Sequence, residues 1–157
     1  MENKAKRFHI ASHALCVFSL ISLFFTFATS TFEASIGDIG SSSYYSISGW
    51  AAAFASFFGW ILIVAPVVIM GMKHIEGFQD YEQVASFALP IITIIVECML
   101  LLGTDLFNSV GDIYGAVSIE TTTSAGTGFY FILLAQIGIL ICKVLYYKHQ
   151  PQEMKAE

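Results

Sequence analysis

The chain has 157 residues, of which 56% are hydrophobic and 12% charged. Soluble domains carry about 25% charged residues, and a water-exposed fold of this length cannot hide so much apolar surface, whereas a bilayer accepts it. The net charge of −5 excludes nucleic acid as a partner, because phosphate binding needs clustered Lys and Arg.

A transmembrane helix needs about 20 mostly apolar residues. In chain order, four segments meet that length, at about 8–30, 49–71, 84–103 and 126–147. The expected fold class is therefore an all-α membrane protein: a four-transmembrane-helix bundle forming one domain over residues 1–157, with the lipid bilayer as its surroundings. Lys4, Lys6 and Arg7 precede the first segment, Lys73 lies between the second and third, and Lys143, Lys148 and Lys155 end the chain. All seven basic residues thus fall on one side of the expected arrangement, which the positive-inside rule makes cytoplasmic. Both termini are then cytoplasmic. Cleavage after Ala28-Thr29-Ser30 as a signal peptide is the rival reading, but the apolar stretch is longer than the usual 7–15 residues of such a region. The absence of an Asn-x-Ser/Thr acceptor fits a bacterial plasma membrane.

The outer loops, about 31–48 and 104–125, hold Glu33, Asp38, Asp105, Asp112 and Glu120 and no basic residue. The segments 44–48 and 114–123 alternate in polarity and are rich in aromatic and β-branched residues, so they are expected to pair into a small extracellular β-layer. Asp38, Tyr44, Tyr45 and Asp112 are its binding candidates. Ser35-Ile36-Gly37-Asp38-Ile39 matches Ser109-Val110-Gly111-Asp112-Ile113 at an offset of 74 residues, which suggests two related hairpins; the competing reading is ordinary Gly-Asp turn chemistry.

Within the expected spans, Ala51, Ala55 and Gly59 recur every four residues with Ala52 and Ser56 beside them, a small-residue helix-packing face. Ser12, Cys16, Ser19, Ser22 and Thr26 form a similar stripe on the first. Glu97 is the acidic residue well inside a span, with Ser86, Pro90 and Thr93 at helical spacing below it. An intramembrane carboxyl is a functional candidate by default, and Gln136 is the partner expected for it. His9, His13 and Cys16 share a helical face near the basic end, a weak arrangement for zinc or copper, so no metal site is assigned. No phosphate-binding loop, dinucleotide fingerprint or nucleophile–base pair is present in the sequence, and neither a cofactor nor a catalytic residue is expected.

The stretches Leu20-Ile21-Ser22-Leu23-Phe24-Phe25-Thr26-Phe27, Ser46-Ile47-Ser48-Gly49-Trp50 and Gly59-Trp60-Ile61-Leu62-Ile63-Val64-Ala65-Pro66 resemble small uncharacterised four-span proteins of Gram-positive bacteria. The order of spans and β-prone loops is also similar to the claudin-like tetraspan arrangement, in topology alone, since that family's Trp, Gly-Leu-Trp and paired-cysteine signature is missing. Neither resemblance implies an activity. The function expected is non-enzymatic binding, in the membrane or at its outer face, of a membrane-protein partner or a second copy: an accessory subunit, scaffold or immunity factor against a toxin or bacteriocin. The alternative is a small oligomeric transporter or channel using Glu97.

Overall fold

The structure is a computed structural model that describes residues 2–36, 39–74, 79–105 and 118–149. Helix α1 runs Glu2–Ser22, strand β1 Thr26–Ile36, strand β2 Ile39–Ser48, helix α2 Gly49–Ala55, helix α3 Ile61–Gly71, helix α4 Glu82–Asp105, strand β3 Ser118–Ala125 and helix α5 Thr127–His149. Helix α1 packs on α5 and α3, and α4 packs on the same two, so the four enclose one interior. The strands form an antiparallel sheet in the order β2-β1-β3, joined to the end of α1 and the starts of α2 and α5.

This is not the expected four-span helical bundle or tetraspan, and the reason is local. Among the described residues, two helices are long and apolar enough to cross a membrane, in the stretches Glu82–Leu102 and Thr127–His149. The first expected span stops being helical at Ser22. Its remaining apolar part, Phe8 to Ser22, covers about 22 Å at 1.5 Å per residue, short of a hydrocarbon core of about 30 Å. From Thr26 the chain alternates hydroxyl and β-branched residues with Phe27 and Ala28, a pattern suited to a pleated surface. It becomes the central strand, paired along both edges. The second expected span breaks in two. Helix α2 ends at Ala55, Ser56 is extended at φ −134° and ψ 146°, and Phe58–Trp60 form a 3-10 turn before α3 begins. The Ser56 hydroxyl accepts from the Phe58 amide at 3.3 Å, so the break is hydrogen-bonded.

The sheet also differs from the expected pairing. Strands β2 and β3 each pair with β1 and do not pair with each other. At its base, Thr29 Oγ1 meets Ser124 Oγ at 2.7 Å and Ser30 Oγ meets Thr123 Oγ1 at 3.0 Å. The base is seated on the helices through the turn Leu23–Phe25. The amides of Gly49 and Trp50, at the start of α2, donate to the carbonyls of Phe25 and Leu23 at 3.1 and 3.0 Å, and the Gly126 amide donates to Phe27 at 2.8 Å. A side chain at Gly126 would put its Cβ 2.2 Å from the Thr26 carbonyl oxygen, so only glycine allows this approach. Leu23, Phe27, Ala28, Ala52, Ala53, Leu62, Phe129 and Ile132 then close an apolar core beneath the sheet.

Around the helices, polarity is inverted relative to a water-soluble fold. Ser12, Ser19, Ser22, Thr93, Glu97, Gln136 and Lys143 are fully buried. Ile10, Val17 and Ile21 on α1, Val64 and Val67 on α3, Ile91, Ile95, Met99 and Leu102 on α4, and Leu134, Ile141 and Val144 on α5 are exposed. The buried share of the two long apolar stretches is 28% and 39%, well below what the core helix of a soluble domain shows.

The seat of the sheet generates a test. Gly126→Ala must push the Thr26 backbone aside and is expected to destabilise the detergent-solubilised protein by about 1–3 kcal/mol, the range for overpacking a well-packed site. Gly71→Ala, where an added Cβ meets nothing within 4 Å, is expected to be neutral or stabilising by up to about 1 kcal/mol. Equal losses in thermal melts would show that the junction is not the tight point.

Candidate functional site

Two regions gather the chemistry: the enclosed interior and the free edge of the sheet. The interior is built from residues whose helical spacing turns them inward. On α1, Ser12 and Ser22 donate their hydroxyl protons to the carbonyls of His9 and Phe18, both at 2.8 Å. On α4, Thr93 does the same to Leu89 at 2.8 Å. Such bonds along one helix satisfy the hydroxyl donor and leave its lone pairs facing inward. Gln136 Nε2 on α5 donates to Ser19 Oγ on α1 at 3.0 Å, a fully buried link between helices.

Glu97 is also fully buried, and neither of its carboxylate oxygens has a hydrogen-bond partner. Gln136 Oε1 is unpartnered as well. The expected direct pairing of Glu97 with Gln136 is therefore absent, and Gln136 bonds Ser19 instead. The two residues nevertheless lie at similar depth. Helices α4 and α5 run antiparallel, and two contacts set their register: Glu82 with Lys143, and the rings of Phe87 and Tyr147. Counting along the helices, the first puts Gln136 level with Leu89 and the second level with Cys98. Gln136 thus sits alongside the stretch that carries Thr93 and Glu97.

Lys143, expected among the cytoplasmic charges, is instead fully buried. Its ammonium lies 4.0 Å from Glu82 Oε1 and 6.0 Å from the centre of the Tyr146 ring. Its signal in the sequence was its place six residues inside the end of α5, but the pairing with Glu82 depends on a helix register that no local pattern encodes.

The remaining candidates fall elsewhere. Ala51 and Ala55 are exposed, Ser56 is half-buried and Gly59 is buried; the four-residue stripe is interrupted because α2 ends at Ala55. Ala52 and Ala53 are the buried face of that helix. Pro66 and Pro90 are buried within α3 and α4. His13 Nδ1 lies 2.9 Å from the His9 carbonyl and the two imidazoles contact each other edge-on. Among the described residues, no three His, Cys, Asp or Glu side chains converge to hold a metal. Asp38 and Asp112 lie outside the described residues, as does the second copy of the Ser-x-Gly-Asp-Ile match.

Strand β2 is the other feature. Among the described residues it is an edge strand, of composition Ile-Gly-Ser-Ser-Ser-Tyr-Tyr-Ser-Ile-Ser, with neither Lys nor Pro to blunt the edge. Gly40 through Ser46 are all exposed. Tyr44 and Tyr45 are 72% and 59% exposed. Consecutive strand residues point to opposite faces, so both faces of the sheet are open at this height.

No family model and no curated protein matches the chain. The resemblances drawn from the sequence are accordingly carried no further.

The Ser19–Gln136 link yields a measurement. A double-mutant cycle with Ser19→Ala and Gln136→Leu is expected to give a coupling of about 0.6–1.7 kcal/mol, the range for hydrogen bonds between membrane helices. Strictly additive losses would mean that the two side chains do not bond in the folded protein.

Proposed function

We propose that this chain is a non-enzymatic multi-pass protein of the bacterial plasma membrane. It crosses the bilayer through α4 and α5, with α1 and α3 packed beside them, and binds a protein partner at the outer face through the sheet. The basic end, with Lys4, Lys6 and Arg7 at the start of α1 and Lys148 at the end of α5, faces the cytoplasm. The inverted polarity supports membrane embedding, because lipid tails accept the outward Ile, Val and Met side chains and leave small polar residues to join the helices.

The observation that carries the binding reading is the outer edge of β2, which has no paired strand among the described residues. An unpaired strand edge offers a row of backbone donors and acceptors to an extended segment of another protein. Tyr, Ser and Gly are the residues that dominate adaptable binding surfaces, tyrosine giving large contact area at little entropic cost. Tyr44 and Tyr45 supply that area on the two faces of the same strand. A partner docked here lies over the outer surface, which suits an accessory subunit, a scaffold or a factor that shields the membrane from a toxin.

The unpartnered carboxyl of Glu97 favours a second reading, a small oligomeric transporter or channel. Flux of alkali cations into proteoliposomes that is abolished by Glu97→Gln and insensitive to changes at Tyr44 and Tyr45 would select it.

Two experiments test the main reading. A cysteine placed at Ser42 in intact cells is expected to react with a membrane-impermeant maleimide, and one placed at Lys148 only after the cells are opened; the reverse pattern would refute the direction. At native expression, a stoichiometric partner is expected to co-purify. The double change Tyr44→Ala and Tyr45→Ala should weaken it by about 30-fold, as for loss of a binding hot spot, while the melting temperature stays unchanged. Retention of the same partner by the double variant would exclude this edge as the binding surface.

A further inference from the structure

We propose that Glu97 and Gln136, with the hydroxyls of Thr93 and Ser22 beside them, form a binding site for one dehydrated monovalent cation of the sodium class inside the helix cluster. The inference stands independently of the outer-face reading and requires no transport.

The argument begins with an imbalance of donors and acceptors. Glu97 Oε1 and Oε2 and Gln136 Oε1 are three buried oxygens without a partner. Thr93 and Ser22 have committed their hydroxyl protons to the carbonyls of Leu89 and Phe18, so lone pairs remain to face the interior. Gln136 Nε2 donates to Ser19 Oγ. This layer of the interior is thus rich in acceptor oxygens, all from fully buried residues. The two contacts between α4 and α5 place Gln136 between the levels of Leu89 and Cys98, the stretch that carries Thr93 and Glu97, and the Ser19–Gln136 bond brings the last turns of α1 to the same depth.

Buried acceptors left empty are costly, more so when one is a carboxylate. A proton on Glu97 and the hydroxyl proton of Ser19 supply two donors for three unpartnered oxygens. A bare alkali cation is met by all of them and by the hydroxyl lone pairs together. Its single charge balances the single carboxylate, which a low-dielectric interior demands. A divalent ion would leave an excess positive charge, and calcium sites generally recruit several carboxylates. Oxygen ligands without imidazole or thiolate also disfavour transition metals. Lys143 does not take this role. It lies seven residues from Gln136, about 10 Å along α5, next to Glu82 at the other end of the interior.

The test uses the full chain in lipid nanodiscs. Radioactive sodium binding to the wild type is expected to saturate at one ion per chain. Replacing choline by sodium at constant ionic strength is expected to raise the melting temperature, because a ligand that binds the folded state stabilises it. Glu97→Gln is expected to raise the sodium concentration for half-saturation by about tenfold or more and to remove the sodium dependence of melting. Absence of saturable sodium binding to the wild type overturns the proposal, including the outcome in which Glu97 carries only a proton. Equal binding by a folded Glu97→Gln variant overturns it as well. Should that variant fail to fold, the wild-type binding measurement still decides.

Discussion

The structure depends on one constraint: the helices present apolar side chains outward and keep small hydroxyls, an amide, a carboxyl and an ammonium inside. In water this arrangement would be unstable, since it exposes what the hydrophobic effect would bury and buries what water solvates. In the proposed lipid setting each half of the arrangement has a reason. Outward Ile91, Ile95 and Met99 lose nothing against hydrocarbon. Inward Ser19 and Gln136 gain a directed bond between α1 and α5 that lipid cannot offer.

The same constraint explains why the sheet stands at one end. Strands leave backbone groups to be satisfied sideways, which hydrocarbon does not allow unless the sheet is closed. An open three-stranded sheet therefore belongs beyond the apolar zone. Its attachment through the Leu23–Phe25 turn and the Gly49 and Gly126 amides couples it to α1, α2 and α5 at once. A two-stranded ribbon is marginal alone; here the third strand and the apolar core around Phe27 and Phe129 stabilise the base. The far part of β2 is thereby held out, exposed on both faces, by elements that are themselves well packed.

What the sequence disclosed follows from the range over which its signals act. Helices α4 and α5 are legible because their apolar runs are long, with Glu97 the one charged residue well inside α4. The end of α1 is not legible by hydropathy, since Phe24 and Phe25 are as apolar in a turn, and Phe27 in a strand, as in a helix. The alternation that begins at Thr26 is the local cue to a strand, and the length of the apolar stretch masks it. The break at Ser56 was hidden for a similar reason: serine and glycine are common in membrane helices, so nothing local marked it. Tyr44 to Ser48 read correctly as a strand, but its neighbour in the sheet is fixed by long-range pairing. The inward placement of Glu97 followed from its spacing with Thr93 and Ser86. The depth match with Gln136 and the burial of Lys143 beside Glu82 required the three-dimensional register.

The central claim is that the outward faces of the helices meet lipid. It is tested most directly by placing spin labels singly at Ile91, Ile95, Met99 and Leu102 of α4 in reconstituted vesicles and comparing collisions with oxygen and with a water-soluble nickel reagent. The account predicts that oxygen dominates at all four positions, most strongly toward the middle of the helix. Preferential collision with the nickel reagent at these positions would contradict it.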